Sequence, residues 1–182
     1  MDSKEDKVLE LFYNSSKHWH FEELKKKSGL SRSRLAFWLK KHEKQGIIKR
    51  YKLKGKMPHY RRVFENKAFQ QQKRLFALKK LTDSGLLTHL ARLPKAKAVI
   101  IFGSFSSYDW HTESDIDVFI YGSDHGFEQG KYEHKLHRDI QVHLARDKKD
   151  LKRMDKMLPY IVEGDFIKGS IQNLGVDIRA KA

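Results

Sequence analysis

Apolar residues recur at helical spacing through the first third of the chain. Val8, Leu9, Leu11 and Phe12 mark one amphipathic segment in DKVLELFYNS, and Phe21 with Leu24 marks a second in HFEELKKKSG. Side chains three and four positions apart share a helix face, so each segment predicts a helix with one face toward a core. Gly29 tolerates the left-handed conformation that closes a helix, which predicts a tight turn after the second. Ser31 stands where an N-cap belongs, ahead of a third helix, SRSRLAFWLKKHEKQG, with Leu35, Leu39 and Trp38 expected inward and Gly46 as its stop. IIKRYKLKGKMPHYRRVF reads as two strands around the basic tip Lys54-Gly55-Lys56.

The pattern then changes. ENKAFQQQKRLFALKKLTDSG carries Phe69, Leu75, Phe76 and Leu78 at roughly helical intervals before a break at Asp83-Ser84-Gly85, and LLTHLARLP predicts a short helix ended by Pro94. No Pro-, Gly- or Ser-rich tether separates the halves, so the join is expected to be a packed helical connector. KAVIIF, DIDVFIY and RDIQVHLA are short, β-branched runs that predict strands. The expectation is an α+β chain: a module of three helices and a β-hairpin over 1–64, a connector over 65–84, and a small α/β domain with a mixed sheet over 85–182.

Composition narrows the function. The 182 residues contain no cysteine, which excludes disulfides and thiolate metal sites. No apolar run is long enough to cross a bilayer, and MDSKEDKVLE lacks the apolar stretch of a secretion signal, so the cytoplasm is the expected compartment and no membrane partner is expected. The formal charge of +15 is uneven: residues 1–64 hold 18 Lys and Arg against 7 Asp and Glu, residues 65–182 hold 20 against 16. Cations concentrated in one third of the chain predict that this part meets a polyanion.

Three helices followed by a hairpin resemble a winged helix-turn-helix over about the first 64 residues. The resemblance implies a third helix that enters a nucleic-acid groove and a wing that touches the flanking backbone. It carries a nucleic-acid-binding role to Arg32, Ser33, Arg34, Lys40 and Lys41 on the helix and to Lys54, Lys56, Arg61 and Arg62 on the wing. DNA is the expected partner, with RNA as the other option, and a homodimer follows if paired half-sites are read. Phe37 falls on the same exposed face of that helix, where it either stacks on a base or packs against the second domain, with packing the favoured reading. Trp19 is expected in a core or between the domains.

The second domain raises a chemical question. Its first apolar run ends in Gly103-Ser104, and Asp115-Ile116-Asp117 heads the next. Gly103-Ser104 predicts a turn or helix start whose free N–H groups favour an anion such as a triphosphate. Alternate residues of a strand share a face, so Asp115 and Asp117 project together while Ile116 and Val118 project oppositely. Two carboxylates beside a phosphate cradle suit magnesium, which is held by one or two carboxylates plus substrate phosphates. Such a site supports in-line displacement at phosphorus.

Gly-Ser, ten residues, then Asp-x-Asp between two apolar strands resembles the DNA polymerase beta nucleotidyltransferase superfamily, especially its minimal branch, over about residues 85–182. The resemblance implies Gly103 and Ser104 at the triphosphate of a nucleotide such as ATP, and Asp115 and Asp117 as catalytic ligands of Mg2+ or Mn2+. It also matches MLPYIVEGDFIKGS to the closing helix and Gly-containing turn of that branch. Active members carry a third carboxylate on a later strand, and here the corresponding slot, flanked by Ile140 and Val142, holds Gln141. Three readings stay open: Asp139 serves as the third catalytic carboxylate in a shifted register, His143 assists with a softer metal, or the site binds nucleotide with little catalysis. His134 and His137 share a helical face but lack a third ligand of zinc spacing.

The function implied is transfer of a nucleoside monophosphate from a nucleoside triphosphate to a protein or nucleic-acid acceptor, guided by the DNA-binding module. Related minimal proteins are often antitoxins that modify a partner toxin, which makes a protein hydroxyl one acceptor. The alternative is a DNA-binding transcriptional regulator whose rear domain binds nucleotide or mediates assembly.

Overall fold

In the computed structural model, which describes residues 4–52, 55 and 57–175, the apolar stripes of the first third become three helices against a small sheet. Helix α1 (Lys4–Asn14) buries Val8, Leu9, Phe12 and Tyr13. A two-residue strand β1 (Trp19–His20) leads into α2 (Phe21–Ser28), which ends at Gly29 with the Gly29 amide donating to the Lys25 carbonyl. Helix α3 (Arg32–Lys44) is capped by Ser31, whose hydroxyl accepts from the Arg34 amide, and it buries Leu35, Leu39 and His42. Strands β2 (Ile48–Tyr51) and β3 (His59–Arg62) complete an antiparallel sheet of order β1-β3-β2. Trp19, Ile48 and Tyr60 line its buried face.

Helix α4 (Lys67–Ser84) follows. The chain separates into two compact units, Met1–Lys73 with Trp110–Thr112, and Arg74–Asp109 with Glu113–Ala182. The division falls inside α4. Phe69, fully buried, packs on Tyr13 with ring centroids 5.3 Å apart, which makes the front of this helix part of the first unit's core. Lys73 is also buried there, donating to the Trp110 carbonyl with its ammonium 4.7 Å from the Trp110 ring.

The second unit continues through α5 (Leu86–Ala91), β4 (Ala96–Phe102), β5 (Ile116–Gly122), α6 (Gln129–Leu136), β6 (Ile140–Ala145), α7 (Lys148–Arg153), α8 (Leu158–Val162) and β7 (Asp165–Lys168). The sheet runs β6-β5-β4-β7; β5 and β6 are parallel, and β4 is antiparallel to both β5 and β7. One face packs Ala98, Ile100, Phe102, Phe119 and Tyr121 against Leu151 of α7 and Ile161 of α8. Val99, Ile101, Val118 and Ile120 are buried on the other face. Burial on both faces explains why β4 and β5 read as continuous apolar runs without alternation.

One expectation is corrected. The segment MLPYIVEGDFIKGS is more than a closing helix and turn: after α8 it forms strand β7 on the edge of β4. The backbone groups of β4 on that side need partners, and a neighbouring strand supplies them. The crossing is so close that a Cβ on Gly164 would overlap the Ile101 carbonyl oxygen. Phe37 is 62% exposed on α3, touching Trp38 edge-on at 5.1 Å. No helix among the described residues is long and apolar enough to cross a membrane.

Candidate functional site

At one end of the larger sheet, β4 finishes at Phe102 and the chain turns through a single 3-10 turn at Gly103–Phe105. Gly103 has φ of 70°, and a Cβ there would run into Oδ2 of Asp117. The turn therefore lies directly against that carboxylate, and both the backbone conformation and the space demand glycine. The Ser106 hydroxyl donates to the Gly103 carbonyl at 3.0 Å and the Ser107 hydroxyl to that of Ser104 at 3.0 Å, tying the turn from behind.

Asp117 lies opposite Phe102 in the β4–β5 ladder and opposite Gln141 in the β5–β6 ladder. Asp115 immediately precedes β5, and Gln141 Nε2 donates to its Oδ2. His143 Nε2 lies 3.2 Å from Asp117 Oδ1, while its ring meets Phe102 at 5.1 Å. These bonds place Asp115, Asp117, Gln141 and His143 on one face, beside the Gly103 turn. Ile116, Val118, Ile140 and Val142 point the other way, as strand alternation requires. The Asp117 and His143 side chains are 26% and 22% exposed, so the site is open to a ligand yet sheltered from bulk water.

Asp139 sits at the mouth of β6, exposed, with its carbonyl accepting from the Ile116 amide at 2.9 Å. Among the described residues no three His, Asp or Glu side chains converge in metal-binding geometry, at this site or at His134 and His137. Beside the paired aspartates stands the neutral amide of Gln141. As a donor set, two adjacent carboxylates fit a hard divalent cation such as magnesium that completes its shell with substrate phosphates and water.

One residue of the site escaped the sequence reading. Arg138 donates from Nη1 to the Ser114 carbonyl at 2.9 Å and carries its guanidinium 5.0 Å from the Phe105 ring. It thus touches both ends of the 103–115 segment that carries the Gly-Ser turn and leads into Asp115. His137, in the left-handed conformation at φ of 51°, ends α6 and turns the chain toward it. A basic residue just ahead of the strand RDIQVHLA was its only signal in the sequence.

In the first unit, Arg32, Ser33, Arg34, Phe37 and Lys40 lie on the exposed side of α3. Arg32 is paired with Glu22 and lies 5.3 Å from the Phe21 ring. Lys41 is turned aside: it donates to Glu5 at 2.9 Å and sits 4.8 Å from the Trp38 ring. Arg61 and Arg62 occupy opposite faces of the sheet. Arg61 lies over Tyr51 at 4.6 Å and Arg62 over Phe64 at 5.0 Å. Lys54 and Lys56 lie outside the described residues.

With this geometry in view, the comparison with protein families becomes informative. Residues 86–170 match the family described as Polymerase beta, Nucleotidyltransferase. The match spans the Gly103 turn, the aspartate pair and the whole four-stranded sheet, and it supports the nucleotidyltransferase superfamily for this segment. Nucleotidyl transfer at the general level, a nucleoside triphosphate substrate and a divalent metal are what that superfamily uses. No curated protein and no solved structure matches the chain.

Proposed function

We propose that the second unit transfers a nucleoside monophosphate from a nucleoside triphosphate to a hydroxyl acceptor on a protein or nucleic acid, and that the first unit is a winged helix-turn-helix that binds DNA. The observation that carries the enzymatic reading is the convergence of Asp115 and Asp117 on one face against the Gly103 turn. In the proposed reaction the acceptor oxygen bonds to the α-phosphorus, the bond from that phosphorus to the bridging oxygen breaks, and pyrophosphate leaves. The acceptor proton passes to water. Asp115 and Asp117 would hold the metal, which when bound neutralises charge on the phosphates. The Gly103-Ser104 backbone would lie along the triphosphate, and His143 keeps the Asp117 carboxylate in one orientation. Asp139 is the nearest upstream carboxylate on β6 and the remaining candidate for assisting the acceptor.

The winged-helix reading rests on the order helix, strand, helix, helix, two strands, with a capped α3 presenting Arg34 and Lys40 to solvent. Lysine and arginine on that face would meet phosphates, and arginine can also fork onto guanine. A homodimer on paired half-sites belongs to the same proposal.

A second reading is favoured by one observation. Gln141, which holds the place of the third carboxylate, donates to Asp115 and brings no negative charge. A regulator that binds nucleotide without turning it over would look like this. Incubating the full chain with each α-labelled nucleoside triphosphate, magnesium or manganese, and oligonucleotide or protein acceptors separates the two. Label transferred to an acceptor by the native chain and lost in Asp117→Asn supports the enzyme. Calorimetric binding of nucleotide without any product supports the regulator. Neither binding nor product overturns both.

A further inference from the structure

The small sheet of the first unit has a second face that the α3 surface does not use. Lys49 lies opposite Arg61, Tyr51 opposite His59, and His20 opposite His59. Because Trp19, Ile48 and Tyr60 turn into the core, alternation sends His20, Lys49, Tyr51, His59 and Arg61 to the outer side. His18, just before β1, lies parallel to the Tyr51 ring, with centroids 6.1 Å apart and planes 2° from parallel. Arg61 and Lys49 sit over the same ring at 4.6 and 5.5 Å. His20 and His59 touch at 3.8 Å between centroids. His18, His20, Lys49 and Arg61 are exposed, and Tyr51 and His59 are half-buried.

We propose that this outer sheet face binds single-stranded nucleic acid, at a surface distinct from the α3 face that is read as a duplex reader. The chemistry is that of a stacking platform. Imidazole, phenol and guanidinium planes lie side by side where bases can stack, and fixed cations sit among them to meet the backbone phosphates. The six side chains include no carboxylate. Glu23 of α2 lies near His20, and Lys17 holds that carboxylate at 2.5 Å. Four-residue strands about 13 Å long in a sheet about 10 Å wide give room for two or three nucleotides. A duplex groove needs a protruding element, which a flat sheet face is not. An anionic membrane is a poorer partner, since none of the six side chains is an aliphatic group that would enter lipid.

Fluorescence anisotropy of the full chain with labelled oligonucleotides tests this, using oligo-U and oligo-dT of about 20 nucleotides over a range of salt. The native chain is expected to bind them, more weakly as salt rises. Lys49→Gln with Arg61→Gln is expected to weaken binding about ten-fold or more and to flatten the slope of log K against log salt by about 1.4. His18→Ala with His20→Ala is expected to weaken binding about five-fold or more by removing two stacking planes, while leaving the melting temperature unchanged, because both rings are exposed. The tighter of the two oligomers identifies RNA or DNA as the natural strand. Failure of the native chain to bind either oligomer, an unchanged affinity in the lysine–arginine variant, or binding only to vesicles of anionic lipid overturns the proposal. None of these results depends on whether the second unit is an enzyme.

Discussion

Replacing Gly103 with alanine separates the architecture of the site from the stability of the fold. Two effects act at this position. An L-residue held near φ of 70° costs about 1–2 kcal/mol, and the stiffer unfolded chain of alanine returns about 0.4–1 kcal/mol, which leaves a net loss near 1 kcal/mol. The new Cβ also occupies the place of Asp117 Oδ2. A carboxylate can rotate away, but doing so breaks its bond with His143, worth about 1 kcal/mol. The total, about 2 kcal/mol, lowers the melting temperature by several degrees in a unit of this size. Gly126 provides the control: its φ is 87° and a Cβ there meets nothing within 4 Å. Gly126→Ala should therefore show only the backbone loss, about 1 kcal/mol. Thermal melts of both variants measure the difference, and calorimetry with magnesium and each nucleoside triphosphate measures binding. Gly103→Ala is expected to lose nucleotide affinity about ten-fold or more, equivalent to about 1.4 kcal/mol, with Gly126→Ala unchanged. Native-like affinity in Gly103→Ala would refute the claim that this turn and Asp117 form one binding surface.

The remaining predictions concern one residue in each unit. Arg138→Ala removes the bond to Ser114 and the contact with Phe105, so stability should fall by about 1–2 kcal/mol; Arg138→Lys, which lacks the planar fork, should recover only part of it in chemical denaturation. His42 is fully buried, and its pKa lies below the ordinary 6.5 because burial disfavours the charged ring, an effect that its bond to Gln45 and the nearby Glu5 offset only in part. The unfolded chain then takes up a proton that the folded chain refuses, so stability is full above about pH 6.5 and declines as the pH falls toward the lower folded value. Denaturation of the first unit at pH values either side of 6.5 should show this decline in the native chain and a flatter response in His42→Leu.

Much of the architecture was legible from patterning. Val8, Leu9 and Phe12 are spaced for a helix and are buried on one, and Ser31 caps α3 as its position suggested. Strands β4 and β5 were visible because both faces of the sheet are covered, so residues 98–102 and 118–121 are uninterrupted apolar runs. Strand β7 was not, since all four of its residues are half-buried and carry neither alternation nor an apolar run. Strand β1 has only two residues, too few for a period to show. Helical phase puts Phe37 on the side of α3 away from Leu35 and Leu39, and there it is exposed.

The chain alone fixes which residues share a face, because side-chain direction in a strand follows from local backbone geometry: Asp115 and Asp117 point together whatever surrounds them. It also fixes the basic front and the absence of thiols. Which strands stand side by side is a long-range matter, decided by the closure of the whole sheet. Only the folded unit sets Gln141 beside Asp115 and His143 beside Asp117, each pair 26 positions apart in the chain, and lays the Gly103 turn against the second carboxylate. Arg138 became a clamp for the same reason. Its partners at Phe105 and Ser114 come near only when β6 runs parallel to β5, and no local pattern encodes that pairing.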